Sequence, residues 1–262
     1  MSSPRRPIIS GNWKMNFDHF EAIHAARALG LRLASADVGG VDVTVHPPFT
    51  DLRSVQTVVE AEEVPVVLGA QNCAVEDSGA FTGEVSPLML ARLHVGYVIV
   101  GHSERRRLFG ETDDLVAAKA AAVVRNGMVP VCCVGETETE REEGMTRDRL
   151  ASQVDAVAVS LGPSAVGASV VAYEPVWAIG SGRSATPEDA QEACGWIREV
   201  IGMVAGDEAA ATVRIQYGGS VTPENTSALL EGADVDGLLV GGASLDVAAF
   251  VAIVQAAAGM PA

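Results

Sequence analysis

Short runs of β-branched and other apolar residues recur along the whole chain, separated by Ala-rich stretches whose apolar positions return at helical spacing. The runs predict strands over residues 8–10, 41–45, 66–70, 97–100, 129–134, 170–172, 213–216 and 237–240. They are almost wholly apolar rather than alternating, which points to a parallel sheet covered by helices. Helix starts are marked in the sequence. Ser86-Pro87, Thr186-Pro187-Glu188-Asp189 and Thr222-Pro223-Glu224 each offer a capping hydroxyl and a proline whose missing N–H costs nothing in the first turn. The last two add acid at the positive end of the helix dipole. Residues 114–125 and 187–204 are rich in good helix formers. Residues 247–260 read as a packed C-terminal helix, shorter than a membrane span and broken by Gln255.

Eight strand and helix units in a chain of this length match a closed parallel (β/α)8 barrel with outer helices. The expectation is one domain over residues 1–262, with 1–7 a flexible N-terminal tail. An open doubly wound sheet would want a Gly-rich fingerprint after the first strand, and Ser10-Gly11-Asn12-Trp13-Lys14 is not one. The acidic run 136–143 reads as a solvated loop and helix start. Two loops, 71–86 and 175–185, are long for a compact fold and therefore suspect as functional elements.

Composition adds exclusions. The chain has 262 residues, 48% hydrophobic and 20% charged, the make-up of an ordinary globular protein. Eighteen basic against 34 acidic residues leave a net charge of −16, which repels nucleic acid and anionic membrane and argues against both as partners. Arg5 and Arg6 are followed by no apolar signal region, so a cytoplasmic location is expected. Cys73, Cys132, Cys133 and Cys194 form no CxxC pair and have no His at zinc spacing, so reduced buried thiols are expected. No cluster of His and carboxylates has ligand spacing, so neither a metal nor an organic cofactor is called for.

In such barrels the chemistry sits just past the strand C-termini. Those positions hold Asn12 and Lys14, His102 and Glu104, Glu174, residues 218–220, and Gly241-Gly242. Singly each has a plain reading: a solvated lysine, a histidine bonded to a helix end, a salt-bridged glutamate, ordinary glycine turns. Their convergence on one mouth argues for a site. Glycine turns after the seventh and eighth strands suit a phosphate held by backbone N–H groups and a short helix, with no arginine needed. Residues 175–183 read as an apolar lid between a proline and a Gly-rich hinge.

Four segments carry a family resemblance: Gly11-Asn12-Trp13-Lys14-Met15-Asn16, Gly101-His102-Ser103-Glu104-Arg105-Arg106, Tyr173-Glu174-Pro175-Val176-Trp177-Ala178-Ile179-Gly180 and Tyr217-Gly218-Gly219-Ser220. In this order and on these strand ends they closely resemble the signatures of the triosephosphate isomerase family. The resemblance spans about residues 8–250 and implies a TIM barrel that interconverts dihydroxyacetone phosphate and D-glyceraldehyde 3-phosphate in glycolysis and gluconeogenesis. It implies Glu174 as catalytic base, His102 as a neutral electrophile, Lys14 and Asn12 as binders of substrate oxygens, and Glu104 as a supporting carboxylate. Gly180, Ser220, Gly241 and Gly242 correspond to phosphate-binding positions. The loop containing Gln71, Thr82 and Glu84 corresponds to an interdigitating loop of a homodimer, Thr82 reaching the partner's site. Arg183 departs from the lysine frequent at that lid hinge. An alternative is a paralogue acting on a four-carbon sugar phosphate with the same residues. A retaining glycosidase pairing Glu104 with Glu174 would leave Lys14 and the glycine turns without a role. A non-enzymatic scaffold would be expected to have lost part of the Asn, Lys, His, Glu set, and all four are present.

Overall fold

The computed structural model describes residues 5–36, 38–179 and 184–259. Eight strands, β1 (Ile8–Asn12), β2 (Asp42–His46), β3 (Val67–Ala70), β4 (Tyr97–Val100), β5 (Val129–Val134), β6 (Val170–Tyr173), β7 (Arg214–Tyr217) and β8 (Gly237–Val240), pair in chain order. Every pairing is parallel, and β1 also pairs with β8 to close the barrel. The apolar runs are continuous because both strand faces are buried. Ile8, Ile99, Val131, Cys133, Val170, Ala172 and Leu239 point inward and fill the lumen. Neighbours such as Ile9, Val98, Val100, Cys132 and Val171 point outward and pack beneath the helices. Each fully buried aliphatic or aromatic side chain of this kind contributes about 2 kcal/mol.

The helices start where the capping residues stand. Ser86 accepts from Met89 N–H, Thr186 and Asp189 form a capping box at the head of Pro187–Ala205, and Asp246 caps Val247–Ala258. The Thr222-Pro223-Glu224 start is a correction. Asn225 Oδ1 accepts from Thr222 N–H at 2.8 Å and its amide donates to Ser220 O at 2.9 Å, closing a turn first, so the helix is Thr226–Leu230. Of the tail expected over 1–7, residues 1–4 lie outside the described residues. From residue 5 the chain is pinned: Arg5 Nε pairs with Asp236 and Arg6 Nε with Asp42, both at 2.6 Å.

These arginines belong to an ionic layer at the N-terminal end of the barrel. Arg198 bonds both Asp234 and Asp236 at 2.6 Å. Arg214 reaches Asp42 at 2.6 Å and the Tyr97 hydroxyl at 2.8 Å. Above it, Gln216 donates to Ile8 O, Ser10 Oγ and Leu238 O, bracing three strands from inside. The four cysteines are free and buried.

Candidate active site

The strand C-termini converge on a cavity of about 40 Å³ lined by Asn12, Lys14, His102, Glu174, Ile179, Gly218, Gly219, Leu239 and Gly241. Lys14 sits there in a left-handed backbone conformation, φ 54°, which a non-glycine residue adopts only when its surroundings impose it. They do so from both sides. The Asn12 side chain accepts from Lys14 N–H at 3.0 Å, and Gln71 Nε2 donates to Lys14 O at 2.7 Å. The resulting arm carries Nζ to Glu104 Oε1 at 2.7 Å.

His102 caps the helix Ser103–Phe109, its Nδ1 accepting from Glu104 N–H at 3.2 Å. A ring nitrogen that accepts carries no proton, so Nε2 is the protonated one in the neutral ring and points at Glu174 Oε1, 2.9 Å away. The other carboxylate oxygen of Glu174 accepts from Ser103 N–H at 2.8 Å. Both side chains are almost completely buried. Burial opposes ionisation of Glu174, but the adjacent His102, the Ser103 N–H and Lys14 outweigh it and hold the carboxyl below its ordinary value. Burial likewise opposes the imidazolium, yet the Glu174 charge, with a smaller push from Glu104, raises His102 above its ordinary value. The neutral ring fits this geometry, with Nδ1 accepting from Glu104 N–H and Nε2–H donating to the Glu174 carboxylate, while the nearby charge of Glu174 makes the ring easier to protonate than burial alone would allow.

Asn12, Lys14, His102, Glu174 and Gly241 thus share one cavity, and Glu104 joins through Lys14. Gly241 lies beside the lysine arm, where an added Cβ would meet Lys14 Cε at 3.4 Å, and the space around Gly242 is open. The expected short helix after β8 is a single turn, Gly242–Leu245. Ser220 is exposed at the rim next to Gly219, and Gly219 must be glycine because the Tyr217 hydroxyl occupies the place of a Cβ. Gly180 and Arg183 lie outside the described residues. Thr82 and Glu84 stand on an exposed loop and are not brought to this cavity; Gln71 does not line it either but donates to the backbone of Lys14, which does.

Sequence reading missed Glu136. The run 136–143 is not uniformly solvated: Glu136 is fully buried, accepts from Tyr173 OH at 3.1 Å and from Trp177 Nε1 at 2.8 Å, and has Arg141 at 3.6 Å. Its backbone carbonyl also accepts from Val176 N–H at 3.2 Å, so it fastens the first turn of the expected lid to the end of β5. Burial pushes its carboxyl pKa up. The missed signal was positional, a carboxylate immediately past a strand end, hidden by the acids that follow it. Also unforeseen is a second opening of about 680 Å³ beside the site, lined by Met15, Phe49, Gln71, Arg105, Leu108 and Phe109 among others. Met15 there is 94% exposed and Phe109 67%.

Among the described residues no group of His, Cys, Asp and Glu is placed to hold a metal ion, and no helix is long and apolar enough to cross a membrane. Chemically, the cavity offers one buried carboxylate base, one imidazole N–H and one ammonium facing the same small volume. That set suits proton abstraction next to a carbonyl, with the developing oxygen charge stabilised by fixed donors.

Comparison with known proteins agrees. Residues 7–257 match the family described as triosephosphate isomerase. The chain is 50% identical over 253 residues to a triosephosphate isomerase of Leifsonia xyli subsp. xyli, covering 96% of this chain and 97% of that one. It is 50% identical over 260 residues to that of Mycobacteroides abscessus, 98% of each, and 49% identical over 254 residues to that of Corynebacterium glutamicum, 97% and 98%.

Proposed function

This chain belongs to the triosephosphate isomerase family, and on that premise we propose how its residues interconvert dihydroxyacetone phosphate and D-glyceraldehyde 3-phosphate. The observation that carries the assignment of roles is the His102–Glu174 contact of 2.9 Å beside Lys14 in one buried cavity. Glu174 removes a proton from the carbon next to the carbonyl. The electron pair moves into an enediolate whose oxygens face His102 Nε2–H, Lys14 Nζ and the Asn12 amide. Once Glu174 carries the proton its charge is gone, and with it the main influence raising His102. His102 is neutral throughout the step, its Nδ1 accepting from the Glu104 N–H, and its Nε2–H stabilises the enediolate by donating a hydrogen bond without giving up the proton. Glu174 returns the proton to the neighbouring carbon. Glu104 positions Lys14. Gly180, Ser220, Gly241 and Gly242 receive the phosphate through backbone N–H groups, which reconciles a dianionic substrate with a chain of net charge −16. Screening over a Debye length of about 10 Å at 0.1 M salt mutes charge on the outer loops and helices.

The four-carbon substrate is not favoured, since the family and the relatives are named for the triose phosphate. The deciding experiment is a coupled assay in both directions with a four-carbon analogue alongside. Turnover of both triose phosphates is expected, and preference for the four-carbon compound would overturn the substrate assignment. The same reading covers a cytoplasmic, glycolytic and gluconeogenic enzyme that needs no cofactor, working as a single-domain barrel. A homodimer is supported by the apolar opening at Met15, Leu108 and Phe109, which lies against the site and suits the exposed loop carrying Phe81, Thr82 and Glu84 from a second copy. Sedimentation at the mass of one chain would overturn it.

A further inference from the structure

His46, the last residue of β2, takes no part in the roles above, and it is fully buried. Its ring is bonded on both sides: Nδ1 lies 3.0 Å from Ala70 O and Nε2 2.9 Å from Thr44 Oγ1. A carbonyl can only accept, so Nδ1 carries the proton and Nε2 accepts from the threonine hydroxyl. Burial pushes the ring pKa down to about 4, which keeps this arrangement neutral at working pH. The ring packs against Gly69, where any Cβ would overlap it, so the glycine makes room for the ring.

The backbone ladder between β2 and β3 runs only through Thr44 with Val67 and Val45 with Leu68. At the mouth itself the His46 ring takes the place of the next rung and holds Ala70 to β2. The next residue is Gln71, whose amide donates both to Lys14 O and to His46 O at 2.9 Å. His46 is also the register partner of Asn12, and its carbonyl accepts from Trp13 N–H at 3.2 Å. We propose that His46 is a positioning residue: through Ala70 and Gln71 it holds the strained backbone of Lys14, and through its own main chain it holds Asn12, so that both donors meet the substrate oxygens.

This rests on the isomerase reading, and it makes a specific kinetic claim. Glu174 and His102 lie just past β6 and β4, and their hydrogen-bond partners are each other, Ser103 N–H and Glu104 N–H rather than His46, Ala70 or Gln71. Loss of the ring should therefore weaken binding of substrate oxygens more than it slows proton transfer. His46→Leu removes both hydrogen bonds while keeping apolar bulk, and is expected to raise KM for triose phosphate about tenfold with a smaller fall in kcat. His46→Asn keeps a donor at the position of Nδ1 and should return KM to within about threefold of wild type. Combining His46→Leu with Gln71→Leu should cost less than the product of the two single effects, because both break one tether. Nitrogen NMR of the wild type should show the Nδ1–H tautomer.

An inactive wild type would overturn the isomerase reading and this inference with it. With an active wild type, the inference alone is overturned by an unaltered His46→Leu, by His46→Asn as impaired as His46→Leu, by an Nε2–H tautomer, or by a KM change that varies with enzyme concentration and so reports subunit association. If His46→Leu does not fold, the tautomer and His46→Asn against wild type decide.

Discussion

At the N-terminal end of the barrel, arginines and carboxylates are matched in pairs that nothing needs to open: Arg5 and Arg198 share Asp236, and Arg6 and Arg214 share Asp42. At the C-terminal mouth the pairs are His102 with Glu174 and Lys14 with Glu104, and the proposed substrate must enter between them. One end is a closed ionic layer and the other a set of interim partners. The same scaffold supports both because each strand delivers its first residues to one end and its last to the other. Arg214 opens β7, for example, and Tyr217 ends it beside Gly219.

The sharpest way to break this comparison is at the mouth. Glu174→Gln keeps the size and much of the hydrogen bonding of the side chain but removes the base, so turnover should fall by at least about a thousandfold while phosphate-ligand binding persists. Retained turnover would remove Glu174 from its role. The same variant tests the coupling within the pair. In the wild type without ligand, His102 should titrate above its ordinary value of 6.5; in Glu174→Gln, burial and Lys14 remain without the main raising charge, and the midpoint should fall below 6.5. An unchanged midpoint by NMR would show that the carboxylate does not govern the ring. The stability consequence has two signs. The raised His102 contributes fully below pH 6.5 and loses that contribution as pH rises through its folded pKa. The lowered Glu174 contributes above pH 4.5 and loses it as pH falls through its folded pKa. The pair therefore stabilises the wild type most between about pH 4.5 and 6.5, and Glu174→Gln should flatten that window.

The barrel was legible because it depends on features that sequence states directly. Continuous apolar runs fixed eight strands to within two residues at each end, and Ser86 and Thr186 marked their helices. The site was legible in its chemistry, through Asn12, Lys14, His102 and Glu174, because strand ends and family motifs place them together. What could not be read depends on contacts between distant segments. That Glu136 is a buried anchor for Trp177 requires knowing that β5 and β6 are neighbours and that Tyr173 points its hydroxyl between them. That Thr222 heads a turn rather than a helix depends on which backbone groups the Asn225 side chain reaches. The protonation of His102 depends on a carboxylate 72 positions along the chain.

At the closed end, Asp236→Asn should separate stability from catalysis. Asp236 accepts from Arg5, Arg198 and Ile215 N–H and is only 8% exposed, so the variant removes the carboxylate these two guanidiniums share, leaving Arg198 with the Asp234 carboxylate and Arg5 with the Ala233 carbonyl. Breaking one partner of such a buried arrangement costs about 3 kcal/mol. For a chain of this size that is roughly a 6–12 °C fall in Tm. Below the transition, kcat and KM should match wild type. A kcat change at a temperature where the variant is fully folded would show that the two ends are mechanically coupled, and the comparison would fail.

The smallest effect is expected at the outermost pair of that layer. Arg6 is half exposed, its Nε 2.6 Å from Asp42 Oδ1 and a second nitrogen 3.3 Å from Val41 O. Removing it as Arg6→Ala leaves Asp42 bound to Arg214 through its other oxygen, so no buried charge loses its partner. An exposed ion pair of this kind contributes about 0.2–1 kcal/mol and weakens as salt screens it. Arg6→Ala should therefore lower Tm by no more than about 4 °C, less at 0.5 M salt than at 0.05 M, with isomerase kinetics unchanged. Calorimetry at the two salt concentrations measures it. A salt-independent loss as large as that of Asp236→Asn would mean that Arg6 acts by holding the start of β1 in register rather than by its charge. The layer would then be part of how the barrel closes, not a cover placed over a barrel already closed by its strands.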